Sequence, residues 1–215
     1  MNLYRNFGKR VIDFTAAAIG LLLIWPVLGL VALAIASRRD GPVFFLQERV
    51  GQHKKPFTVF KFRTMSVRAP ESINQLDEAV VEGGNDQRIT PIGRFLRASS
   101  LDELPQLLNV LKGEMSLIGP RPMIPEQLLA IPDSLHGGFA MKPGITGWAQ
   151  VNGRRELDWL ARLELDAWYA ENVSLALDIR IIFRTIAAVF QRSGIYGSAK
   201  SNWRSYLPEK KPTEG

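Results

Sequence analysis

Asp102 and Glu103 stand side by side, and Arg121 follows within Gly119-Pro120-Arg121-Pro122, fixed between two prolines. Adjacent carboxylates are hard oxygen donors of the kind that hold Mg2+. An ionised aspartate can also attack phosphorus and carry an acyl phosphate. A guanidinium on a stiff backbone suits bidentate phosphate binding. These are the parts of a phosphoryl-transfer site. The same residues also have a purely structural reading. Ser100-Leu101-Asp102-Glu103 matches a capping box, with Ser100 as cap and Glu103 reaching back to it. Pro105 disturbs a regular first turn there, which leaves Asp102 as the alternative cap. Either way the pair sits at a helix start, where free N–H groups favour anions. Leu104, Leu107, Leu108 and Leu111 would give that helix its core stripe.

Several elements must position this pair. Thr90-Pro91 reads as a cap followed by proline at the first helical position. Ile92, Phe95 and Leu96 would then face the core, with Arg94 and Arg97 outside or towards a ligand. A short strand, Val43–Leu46, is expected after the Asp40-Gly41-Pro42 turn. A second, Phe57–Thr64, alternates Phe60 and Phe62 against Lys61 and Arg63. Those two cations are either a solvated face or a wall of the phosphate site. Residues 66–87 read as an exposed loop. Lys142–Arg154 is glycine-rich, so its backbone can approach a ligand closely. Glu156–Asn172 reads as a helix. In Leu175–Phe190, Leu175, Ile179, Ile182, Phe183, Ile186, Val189 and Phe190 form one stripe, opposite Arg180, Arg184 and Gln191. That stripe either lies in a membrane interface or packs on the core. A polar, poorly ordered tail is expected after Lys200.

The whole chain narrows the choices. Its 215 residues contain no cysteine, and its two histidines, His53 and His136, are too far apart for zinc-ligand spacing. The net charge of +6 points to an anionic partner: nucleic acid, anionic lipid or phosphorylated substrate. The basic residues adjoin apolar segments and carry no nucleic-acid motif, so nucleic acid is set aside. Phe14–Ala36 has no charge and is long enough to cross a bilayer. It exceeds the apolar core of a cleaved leader, and Arg38 and Arg39 follow at once. Basic residues flank both ends, which suits a segment whose two ends stay on one side. Trp25-Pro26 sits mid-block, where proline bends a helix. On these residues alone, a spanning helix and a bent, re-entrant one both stand.

The ordered motifs carry a resemblance. Lys61-Phe62-Arg63-Thr64-Met65 comes first, followed by Ser100-Leu101-Asp102-Glu103-Leu104-Pro105-Gln106-Leu107 and Asn109-Val110-Leu111-Lys112-Gly113. Gly119-Pro120-Arg121-Pro122 and Lys142-Pro143-Gly144-Ile145-Thr146-Gly147-Trp148-Ala149-Gln150-Val151-Asn152-Gly153-Arg154 complete the series. Together with the proline-bearing block, they make the chain resemble the bacterial sugar transferases, the monotopic phosphoglycosyl transferases. The resemblance runs from near residue 5 to near residue 197. It departs at Trp25, where family members often have serine before the bend proline.

The resemblance implies an α+β fold: a small mixed domain of short strands and several helices. It would be anchored by a re-entrant N-terminal helix and interfacial amphipathic helices. Residues 1–39 would be the membrane segment, 40–197 the catalytic domain and 198–215 the tail. The implied reaction moves a sugar phosphate from a nucleotide diphosphate sugar, usually a UDP-sugar, to polyprenyl phosphate. Asp102 would be the nucleophile, and Glu103, with Asp102, would hold Mg2+. Arg121 and Arg154 match positions near the bound phosphate, to which the residue reading adds Lys61, Arg63 and Arg97. The site would lie at the cytoplasmic face of the inner membrane, in contact with the lipid bilayer. The sugar and any homo-oligomer stay open, as do direct attack with the acidic pair as base and a non-enzymatic scaffold.

Overall fold

The N-terminal apolar block forms α1, Lys9–Ala36, one helix with Pro26 in its interior and a π-helical turn, Tyr4–Gly8, before it. One stripe of α1 is docked on the rest of the chain. Ala17 packs with Val59, Leu107, Val110 and Met115, flanked by Leu21 and Ile24. Further along, Ile35 packs with Phe62 and Leu96, flanked by Leu28, Val31 and Ala32. These positions recur every three or four residues, which is one helix face. On the other faces Ile19, Leu22, Leu23, Trp25, Leu30 and Leu33 are all more than half exposed. The computed structural model describes residues 3–67, 86–153, 157–190 and 202–207.

Both ends of α1 are tied to the globular part. Lys9 Nζ donates to Asp178 Oδ2 at 2.6 Å with both side chains buried, and the Tyr4 and Tyr169 hydroxyls donate to the same carboxylate. Asp13 accepts from Ser116 Oγ and from the Leu117 N–H. At the far end, Arg63 donates to Asp40 O and Asp40 Oδ1, each at 2.7 Å.

A hairpin follows. β1, Phe44–Val50, pairs antiparallel with β2, Pro56–Phe62, in a register from Phe44 opposite Phe62 to Val50 opposite Pro56. β1 thus runs four residues beyond the expected Leu46. In β2 the buried positions are Val59 and Phe62, while Phe60 lies under the Lys112 ammonium. α2, Pro91–Ser99, is capped by Thr90, whose Oγ1 accepts from the Gly93 N–H. Leu96 is buried as expected, but Phe95 is 63% exposed and faces out. α3, Leu107–Lys112, ends at Gly113.

The second pair of strands is parallel: β3, Ser116–Ile118, with β4, Gly144–Thr146. It brings the Gly119–Pro122 turn against the 142–147 loop. A Cβ on Gly119 would fall 2.3 Å from Lys142 O, so only glycine fits this approach. α4 is Trp148–Val151, and α5, Trp159–Asn172, begins at an Asp158 cap rather than at Glu156. α6 spans Leu175–Phe190. Its inner face is Leu177, Asp178 and Ile181, packed with Tyr169, Val173 and Ile118. The expected apolar stripe turns outward instead: Leu175, Ile179, Ile182, Phe183 and Ile186 are all exposed.

The molecule is thus a helix-dominated mixed fold with short strands and, among the described residues, one helix long and apolar enough to cross a membrane. Part of the expected tail is not loose. Trp203 is buried against Met123, Ile124 and Trp159, and Tyr206 OH donates to Asp158 Oδ2 at 2.8 Å.

Candidate active site

The carboxylate pair lies between α2 and α3, in a segment that is not an α-helix start. α2 ends at Ser100, which adopts the left-handed conformation with φ 58°. Leu101–Gln106 then forms a tight 3-10 turn holding Asp102, Glu103 and Pro105. Ser100 makes no side-chain cap, so the capping-box expectation is corrected. Pro105 has no N–H to give an α-helical ladder, and the chain takes the tighter winding instead. Leu107, Val110 and Leu111 reach the core below α1, whereas Leu108 is 39% exposed and leaves the expected stripe.

Asn109 locks this segment to the hairpin. It is fully buried; its Oδ1 accepts from the Phe60 N–H and its Nδ2 donates to Thr58 O and Glu114 Oε2. The strand position it fixes is next to Lys61. Lys61 Nζ donates to Glu103 Oε1 at 2.8 Å, and Arg121 Nη2 stands 3.5 Å from the same oxygen. Burial pushes the Lys61 ammonium below its usual range, opposed chiefly by Glu103. Burial and then the Glu103 charge push the Asp102 carboxyl up to about 6, while Lys61 and Arg97 draw it back. Arg97 is itself held by Thr64, its Nε donating to Thr64 Oγ1 at 2.9 Å.

Asp102, Glu103, Lys61, Arg97 and Arg121 therefore form one electrostatic cluster. Arg63 is committed elsewhere: it is 7% exposed and bound to Asp40. It secures the turn after α1. Trp25 lies on the exposed face of α1, and Pro26 is within that helix. Arg154 lies outside the described residues.

Two supports of the arginine turn are new. Arg49 on β1 donates to Pro122 O at 3.2 Å. On the opposite side Asp166 of α5 is buried beside the turn. Burial holds its carboxyl up to about 7, against the pull of the Arg121 backbone N–H and the Arg162 and Arg121 guanidiniums. Asp166 also lines a small cavity with Arg121, Met123, Leu135, Phe139 and Leu163. In sequence, Asp166 is one acid among several on a helix, and only the packing of α5 singles it out.

The donor set tests the metal expectation. Among the described residues no group of three or more metal-binding side chains occurs. Two adjacent carboxylates remain, one destabilised by the charge of the other. Such a pair fits Mg2+, which keeps several waters and takes further oxygens from a substrate's phosphates.

Comparison with known proteins gives the lineage. The family described as Bacterial sugar transferase matches residues 4–192. The chain is 45% identical to an uncharacterized sugar transferase, EpsL, of Bacillus subtilis, over 87% of this chain and 89% of that protein. It is 36% identical to the exopolysaccharide production protein ExoY of Rhizobium meliloti, over 89% of each. It is also 43% identical to the UDP-glucose:undecaprenyl-phosphate glucose-1-phosphate transferase of Escherichia coli, covering 87% of this chain but 41% of that protein. The chain belongs to the bacterial sugar transferase family.

As a bacterial sugar transferase it is an enzyme of the transferase class. It spans most of EpsL and ExoY but only about two fifths of several larger relatives. The site of this transferase has two sides. The 3-10 turn supplies the acids, and the parallel β3–β4 pair sets the Pro-Arg-Pro turn opposite them.

Proposed function

We propose that this protein transfers a sugar phosphate from a nucleotide diphosphate sugar, of the UDP-sugar class, to undecaprenyl phosphate at a membrane surface. The observation that carries the reading is the adjacent acid pair with unequal surroundings. Glu103 is neutralised by Lys61 and Arg121, while Asp102 is half-buried and its carboxyl is pushed up. Unequal carboxyls suit unequal roles. The printed activities of relatives such as the Escherichia coli enzyme support the substrate class.

In the proposed sequence, an ionised Asp102 oxygen attacks the phosphorus that bears the sugar. The diphosphate P–O bond breaks, a nucleoside monophosphate leaves, and an aspartyl phosphosugar remains. An oxygen of the lipid phosphate then attacks the same phosphorus, freeing the Asp102 carboxylate and forming a polyprenyl diphosphate sugar. Arg121 and Lys61 stabilise charge on the transferring phosphoryl oxygens. Arg97 and Lys61 favour the ionised Asp102. Glu103, with Asp102, would hold Mg2+, which when bound supplies neutralisation of the diphosphate charge.

The acceptor is a lipid, and the bare faces of α1 and α6 suit an apolar medium. Both ends of α1 are bonded to the same globular body. That supports a helix that dips into one leaflet with Pro26 at its bend, at the cytoplasmic face of the inner membrane, over one that crosses. Incubation with radiolabelled nucleotide sugar alone tests the chemistry. Label held by the protein, and lost in Asp102→Asn, is the expected result; turnover without any trapped label refutes the covalent step and favours direct attack by the lipid.

A further inference from the structure

A second cationic centre lies at the other end of α3. Gly113 closes that helix in the left-handed region, with φ 85°. A Cβ placed on it would lie 3.2 Å from Arg10 Nη2 and 3.6 Å from Lys142 Nζ. Two cations distant in sequence thus converge on the gap that a glycine leaves.

Arg10 is held in place. Its Nη1 and Nη2 donate to the carbonyls of Val110 and Leu111 at the negative end of α3. Only some of its five N–H donors are consumed. Lys142 is half-buried and has no hydrogen-bond or ion-pair partner among the described residues. The carboxylate whose charge reaches it, Asp13, is engaged by Ser116 and Leu117. Burial and then the Arg10 charge depress the Lys142 ammonium. Two like charges brought to one point are stabilised by an anion.

The surroundings identify what kind. The Phe14 ring lies 5.6 Å from the Arg10 guanidinium carbon, and Phe7 in the π-helical turn and Val11 and Phe14 on α1 are all exposed. Charge therefore sits at the border of a bare apolar surface, as a lipid with an anionic head and acyl chains requires. α3 and most of the 3-10 turn separate this point from Asp102. We infer that Arg10 and Lys142, around Gly113, form a headgroup site for an anionic phospholipid, apart from the reaction centre.

The inference rests on the membrane association proposed above. The test is lysine footprinting of the full-length protein by an amine-reactive reagent, read by mass spectrometry. The protein is compared in phosphatidylcholine nanodiscs, in nanodiscs containing phosphatidylglycerol, and in detergent with and without inorganic phosphate. Lys142 is expected to be protected in the phosphatidylglycerol discs relative to phosphatidylcholine, with the exposed Lys55 unchanged. Lys142→Gln is expected to weaken binding to phosphatidylglycerol vesicles about fivefold, with Lys142→Arg restoring it. Protection by inorganic phosphate without any lipid difference would mean an anion site that lipid does not fill, and overturns the inference. Equal labelling throughout also overturns it. A protein that enters neither disc overturns the membrane reading, and this inference with it.

Discussion

Asp102 and Asp166 show how burial makes a carboxyl useful or costly. Asp102 titrates near 6 against an ordinary value of 3.8. The folded state therefore favours its protonated form, and that contribution to stability is lost as pH rises through about 6. Asp102→Asn removes the charge. It should be inactive yet more stable than the parent above pH 6, by up to about 3 kcal/mol, with little difference below pH 4. Denaturant unfolding at several pH values checks this; equal stability throughout would contradict the raised carboxyl. With Asp102 as the proposed nucleophile, which attacks only when ionised, the rate should climb as pH passes about 6 and then level. Lys61→Met removes a charge that draws Asp102 down, so the rising limb of the pH–rate profile should move to higher pH. Asp102, Glu103, Lys61 and Arg121 are singled out by type and spacing, and the fold brings their charges together. Arg63 was not, because alternation beside Lys61 gives no hint that Asp40 claims it. Arg49 and Asp166 were silent, since their meaning lies in contacts across the fold.

At the level of elements, close backbone approaches set the site's dimensions. A Cβ on Gly93 would stand 2.0 Å from Thr64 O, and one on Gly144 would stand 2.1 Å from the Gly119 N. Neither neighbour is a side-chain end that can swing aside. Gly93→Ala should separate α2 from the segment after β2 and cost at least ~2 kcal/mol, read as a lowered midpoint in thermal unfolding. Arg97 rides on α2 and is held by Thr64, so the rate should fall with it. The two strands of the hairpin, though not their pairing, the Thr90 cap and α6 were legible because periodicity and capping chemistry are local. The 3-10 turn at Asp102 was not, because a capping box and a proline-tightened turn share the same letters. Which face of α6 turns inward was decided by Asp178, a charged residue that periodicity assigns to the outside.

For the whole molecule, Asp178 is the knot. It takes hydrogen bonds from Lys9, Tyr4 and Tyr169, and so joins the segment before α1, α1 itself, α5 and α6. Asp178→Asn leaves the Lys9 ammonium buried without its counter-charge, which should cost about 3–5 kcal/mol. Protease susceptibility near residue 9 is the readout, and an unchanged digestion pattern would show that α1 is held by apolar packing alone. The long apolar block was legible as a helix long enough to cross a membrane, but its docking along the domain was not. Hydropathy reports what a helix tolerates outside, not which thin stripe it keeps for its own protein.

That docking has a consequence for how the protein is made. α1 leaves the ribosome before β2, α3 and Asp178 are synthesised. Ala17 and Ile35, sealed in the finished fold, have nothing to close on during that interval. If α1 dips into a leaflet as proposed, the leaflet is the waiting place for this helix, and the domain assembles onto a helix already lodged there. Cutting away α1 to obtain a convenient soluble fragment would therefore remove one wall of the interior, not merely an anchor.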